Sequence, residues 1–142
     1  MSGDHEGRHR RSKAPIHRGI SEFGEILGDY LQEVAGSIGA VLTDDEGNPI
    51  DFALRQAALS DLEIQLAGAQ LERPLDELRQ RSTDARTLRV TIAASRRLLL
   101  AAALADHTLV ALHHAEHNLE RVAEIESAFE GLIGRLYRLL DA

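Results

Sequence analysis

Residues 5 to 9 read HEGRH, the spacing by which zinc metalloproteases place two imidazoles and a glutamate on one helix face. That chemistry needs a formed helix, because both histidines must reach one ion while the glutamate polarises the metal-bound water. The surrounding stretch MSGDHEGRHRRSKAP does not supply one. It holds almost no apolar side chain after Met1, places Gly7 inside the would-be helix, and adds Arg8, Arg10, Arg11 and Lys13 behind it. A helix this short, with no face to bury, is marginal in water. The motif reads as chance spacing in a basic tail.

A second histidine group, His113, His114 and His117 in HHAEH, closes an apolar run. Adjacent strand residues point to opposite faces, so the three imidazoles do not easily meet one metal. Ordinary surface histidines are expected here. A small-ligand or metal-sensing module using the His113/His114/His117 region is the alternative function. The acidic DDEG at 44–47 lacks the spaced carboxylates and distal glutamate of an EF-hand loop and reads as a hairpin turn. Arg55 and Arg73 invite an arginine-finger assignment, since such a residue stabilises charge on a transferring phosphoryl group. On helix flanks they are read instead as solvated side chains. No P-loop is present and the only lysine, Lys13, sits in the tail, so the chain is not expected to hold GTP phosphates itself. No catalytic residue, cofactor or metal ligand is assigned, and an enzyme is not expected.

With 142 residues, 44% apolar and 27% charged, the chain fits one domain able to bury about two thirds of its unfolded surface. The absence of cysteine excludes a disulfide scaffold and a thiolate nucleophile. Residues 1–19 hold five basic against two acidic side chains, a net of +3; with −7 for the whole chain, the remainder carries −10. An acidic body argues against nucleic acid as the partner. The division expected is a disordered basic tail at 1–19, removable through residue 18 without loss of fold, and a domain at 20–142. The longest apolar run, Leu98 to Ala105, is too short to span a bilayer, and the start does not resemble a signal peptide. A cytoplasmic protein without an integral membrane segment is the default. Fifteen arginines against one lysine, with abundant Ala and Leu, suit a GC-rich bacterial genome.

These residues need elements to position them. Ile20, Phe23, Leu27, Tyr30, Leu31 and Val34 recur at helical steps, with Ser21 placed to cap the start and Gly36 to end it; Gly24 and Gly28 weaken this first helix. SIGAVLT and NPIDFAL alternate about the acidic turn as a hairpin. Pro49 cannot donate to a ladder, which predicts an edge position for the second arm. Residues 56–72 predict a helix with two apolar stripes. Ala58, Leu59, Leu62, Leu66 and Ala69 make one; Ala57, Ile64, Gly68 and Leu71 make the other, nearly opposite. A surface helix of a monomer needs one stripe, so the second is assigned to a partner helix. Leu88, Val90 and Ile92 alternate as in a half-buried strand, whereas RRLLLAAAL and TLVALHH are continuously apolar, as strands covered on both faces are. Short links make these three neighbours antiparallel. A final helix from Asn118 carries an unbroken stripe from Leu119 to Leu140. The fold class predicted is an α/β sandwich (α+β), a five-stranded antiparallel sheet with helices on both faces, in the order α-β-β-α-β-β-β-α.

This order, with GAVLTDDEGNPIDFA (39–53), LRVTIAASRRLLLAAALADHTLVAL (88–112) and NLERVAEIESAFEGL (118–132), resembles the roadblock family, small domains named with a dynein light chain that include bacterial gliding-motility regulators. Glu120 stands where many members carry glycine, and the basic tail is an addition. The resemblance implies a homodimer formed by packing the central helix against its copy and joining sheets at the third strand of the family, with Arg89 and the rest of Thr87 to Ala93 at the junction. It further implies binding or regulation of a small Ras-like GTPase.

Overall fold

The computed structural model describes residues 15–55, 87–93, 97–114 and 119–141. Within them lie β1 (Ile16–Arg18), α1 (Glu22–Glu33), β2 (Ser37–Thr43), β3 (Pro49–Arg55), β4 (Thr87–Ala93), β5 (Arg97–Leu104), β6 (His107–His114) and α2 (Leu119–Leu140). The strands form one antiparallel sheet of six, ordered β1-β3-β2-β6-β5-β4.

The sixth strand corrects the five expected. Ile16, His17 and Arg18 pair with Arg55, Leu54 and Ala53, within the stretch whose charge suggested a tail. Three residues are too few to show an alternation; what orders them is the free ladder of β3 and the side chain of Arg18. Its Nη1 donates to the Glu25 carbonyl (2.8 Å) and to Asp29 Oδ1 (2.9 Å), and its Nη2 to Gln32 Oε1 (3.1 Å). Arg18 can lie across the helix because Gly28 has no Cβ, which would sit 2.6 Å from the guanidinium carbon. β1 also removes β3 from the edge. Pro49 is tolerated as the first residue of β3, before the stretch that β1 pairs. Over the described residues the order is therefore β-α-β-β-β-β-β-α, and the helix expected at 56–72 lies outside them.

Both described helices pack on one face of the sheet. Leu27, Tyr30 and Leu31 of α1 and Phe129, Leu132 and Leu136 of α2 are buried together on Ala40, Leu42, Leu100 and Ala111. Each fully buried Leu or Phe contributes about 2 kcal/mol. The opposite face holds a second buried group, Val41, Leu54, Ala101, Ala103 and Val110, against which Phe52, Val90, Leu99 and Leu112 pack. The continuously apolar strands β5 and β6 are thus interior strands with both faces covered, as their composition predicts. Among the described residues no helix is long and apolar enough to cross a membrane.

Candidate functional site

β4 is the outer strand beyond β5, paired to it from Thr87↔Leu104 through Ala93↔Leu98. The other side of β4 pairs with no strand among the described residues. Alternation sorts its side chains. Arg89 and Thr91 share the helix face with their partners Ala102 and Leu100, Val90 packs on the second core, and Ile92 is 47% exposed.

Between β4 and α2 runs a groove of about 360 Å³, floored by Leu100 and Phe129 and walled by Arg89, Thr91, Glu126 and Glu130. Glu126 and Glu130 are four residues apart on α2 and so share one side of the helix. Arg89 pairs with Glu130, and Thr91 Oγ1 donates to Glu126 Oε2 at 2.8 Å. The side chains of Arg89 and Glu130 are 52% and 44% exposed, so solvent holds the ion pair below about 1 kcal/mol. Two carboxylates face one guanidinium.

Of the residues assigned to an interface from sequence, Arg89 stands on this edge, whereas Ala57, Ile64, Gly68 and Leu71 lie outside the described residues. HEGRH, Arg73 and His117 do as well. The other histidines separate as the pleat requires. His113 is fully buried on the helix face: Nδ1–H donates to the Leu98 carbonyl (3.1 Å), and Nε2 accepts from the Tyr30 hydroxyl (2.6 Å). Both ring nitrogens are engaged, which leaves none for a metal. Burial lowers the His113 pKa to about 4 and pushes that of Tyr30 far above its usual value. His114 is exposed, with Nδ1 3.0 Å from Arg97 Nη1. Among the described residues no three His, Cys, Asp or Glu side chains are grouped to hold a metal. At the hairpin, Asp44 Oδ1 accepts from the backbone N–H of Asn48 and Glu46 (both 2.9 Å), which holds its carboxyl below the usual range, and Gly47 takes φ 84°. DDEG is therefore a turn.

Arg55 is not a solvated side chain. It folds inward over the end of α1, where Nε donates to the Ser37 carbonyl (2.8 Å) and Nη2 to the Leu31 carbonyl. The cation meets the negative end of the helix dipole there, and burial draws its pKa down. Asp51 performs the converse role at the helix start, which sequence reasoning missed. Its Oδ2 accepts from the Ser21 hydroxyl and from the backbone N–H of Ser21 (2.8 Å) and Gly24 (3.2 Å). Gly24 is required by close approach, since a Cβ there would lie 2.6 Å from the Gly19 carbonyl oxygen. Nothing local in the sequence signals this role, because Asp51 stands between Ile50 and Phe52 and meets Gly19 and Gly24 only in the fold.

No protein-family model matches the sequence, and no curated protein does. Solved structures do. A Roadblock/LC7 domain from Streptomyces avermitilis superposes with a TM-score of 0.66 at 16% identity, covering 83% of this chain and 97% of that one. The chain has the roadblock fold. The gliding protein MglB from Thermus thermophilus gives a TM-score of 0.67 at 17% identity, over 82% of this chain and 86% of that one. MglB from Myxococcus xanthus gives 0.67 at 10% identity, over 86% and 97%. At such identities what is shared is the fold.

Proposed function

We propose that the chain is a non-catalytic homodimeric regulator or scaffold of the cytoplasm that binds a small Ras-like GTPase and through that contact bears on GTP hydrolysis. The observation that carries this reading is the position of β4 in a roadblock fold, a seven-residue strand that is outermost among the described residues and leaves Ile92 half exposed. The proposed interface includes Ala57, Ile64, Gly68 and Leu71, the second apolar stripe of the helix expected from sequence at 56–72. The non-catalytic reading draws support from the tasks of the charged residues. Asp51 and Arg55 hold the two ends of α1, and His113 ties that helix to the sheet. The GTPase partner is what the resemblance to gliding-motility regulators implies, and the acidic body gives nucleic acid no foothold.

Two measurements test it. Light scattering should give a dimer that Ile64→Glu converts to monomer; an unchanged dimer would remove the helix from the interface. A pull-down with a Ras-like GTPase encoded beside this chain should retain the GTPase. Preference for the GTP-loaded form supports a regulator and equal retention of both forms a scaffold, whereas retention of neither refutes the partner.

A further inference from the structure

The two ends of the strands carry opposite charge. We propose that the end at which residues 1–14 join the domain docks on an anionic lipid bilayer, through Arg97 and Arg121 of the domain and Arg8, Arg10, Arg11 and Lys13 of that segment. Such docking holds the chain at a surface with or without a GTPase.

Strand pairing places the basic groups. Ile16 opposes Arg55, Ser37 opposes His113 and Arg97 opposes His114, so these residues lie at one end of the sheet. α2 begins at the same end, where Arg121 Nη2 donates to the Ala35 carbonyl. Arg97 is exposed and Arg121 half-buried, and Pro15, just before β1, is exposed as well. Segment 1–14 therefore joins at this end, with four basic side chains in the six residues 8–13. Of the exposed acids described nearby, Glu33 is answered by Arg135 at 3.5 Å, and Glu124 stands three residues further along α2 than Arg121.

The opposite end gathers Glu22, Asp44, Asp45, Glu46, Asp106 and Asp141, with Arg138 in the last turn of α2. The Tyr137 hydroxyl accepts from the Ala105 N–H at 3.2 Å and fixes that end of α2 beside the β5–β6 turn. A seven-residue strand such as β2 separates the two poles by about 20 Å. The Debye length at physiological salt is about 8 Å, so each pole acts on its own surroundings.

That separation selects the partner. A flat bilayer meets the basic pole alone and leaves the carboxylates beyond electrostatic reach. A nucleic acid in solution meets the chain from every side and so senses its net charge of −7. Guanidinium groups suit lipid phosphates, to which they donate paired hydrogen bonds. Each basic side chain close to an anionic leaflet raises partition about fivefold, so the contact is additive, reversible and weakened by salt.

Co-sedimentation of the full chain with vesicles of phosphatidylglycerol and phosphatidylcholine in equal parts tests this. Binding should exceed that to pure phosphatidylcholine at least about tenfold, and fall at least about tenfold as salt rises from about 0.05 M to about 0.3 M. Arg97→Glu should weaken binding to the mixed vesicles about tenfold, and Arg10→Glu with Arg11→Glu about a hundredfold. Arg138→Glu, an equal change of charge at the acidic pole, should leave it within about twofold. Urea unfolding of Arg97→Glu should match that of the unaltered chain, because the side chain is exposed. Equal weakening by Arg97→Glu and Arg138→Glu would show that net charge alone is read and would overturn the pole. No preference for the anionic vesicles, or tighter binding to duplex DNA at the same salt and phosphate concentration, would overturn the bilayer as the partner.

Discussion

At one edge of the sheet β1 offers three residues, and its side chains are fastened to the elements beside it. Arg18 is tied to Glu25, Asp29 and Gln32 across α1, and the His17 ring stacks on Phe52 at 5.6 Å. At the other edge β4 offers seven residues, leaves Ile92 half in water, and holds Arg89 only by an exposed ion pair. A short edge fastened to its own helix protects a sheet from unwanted pairing, whereas a long one with an apolar residue invites it. The asymmetry sets the edges apart: β1 is fastened to its own helix, and β4 is the edge on which the proposed interface rests.

Truncation sharpens this contrast most. Removing residues 1–14 should leave urea stability within about 0.5 kcal/mol, whereas removal through residue 18 should lower it by about 4 kcal/mol, since β1, the half-buried Ile16 and the Arg18 contacts go together. Equal stabilities would mean that β1 is an ornament and that the tail does extend to residue 19, as charge alone suggests.

The next effect is one of pH, on the clasp that fastens α1 to the sheet. His113 is neutral in the fold because burial lowers its pKa to about 4, and in the unfolded chain it titrates near 6.5. Below that upper value the unfolded chain gains a proton that the fold refuses. Stability should therefore be full above pH 6.5 and fall toward pH 4 by about 1.4 kcal/mol per unit, about 3 kcal/mol in all. His113→Gln should flatten that slope in urea titrations run at successive pH values; an unchanged slope would place the titrating group elsewhere.

Sequence and structure agree where periodicity is long. Ser21 and the apolar steps after it delimit α1, the stripe from Val122 to Leu136 delimits α2, and alternation about Asp44–Gly47 gives the hairpin. What escaped was carried by contacts distant in sequence. β1 exists through a ladder to residues 53–55, and Asp51 looks like any outward polar residue of an alternating strand until the helix start is placed over it. Arg55 reads as solvated from sequence because nothing local reveals that the end of α1 lies above it. Of the assigned site, Arg89 was legible as a strand residue, but its pairing with Glu130, 41 residues later, was not.

The smallest effect on the fold belongs to β4, and there the central claim is most exposed. Ile92→Lys should change the unfolding free energy of the dissociated chain by no more than about 0.5 kcal/mol, because the side chain already meets water there. Sedimentation velocity of the unaltered chain and of Ile92→Lys, at matched concentrations, puts the two edges to the test. The account predicts a dimer for the first and a monomer for the second; a monomer in both, or a dimer indifferent to the lysine, would contradict it.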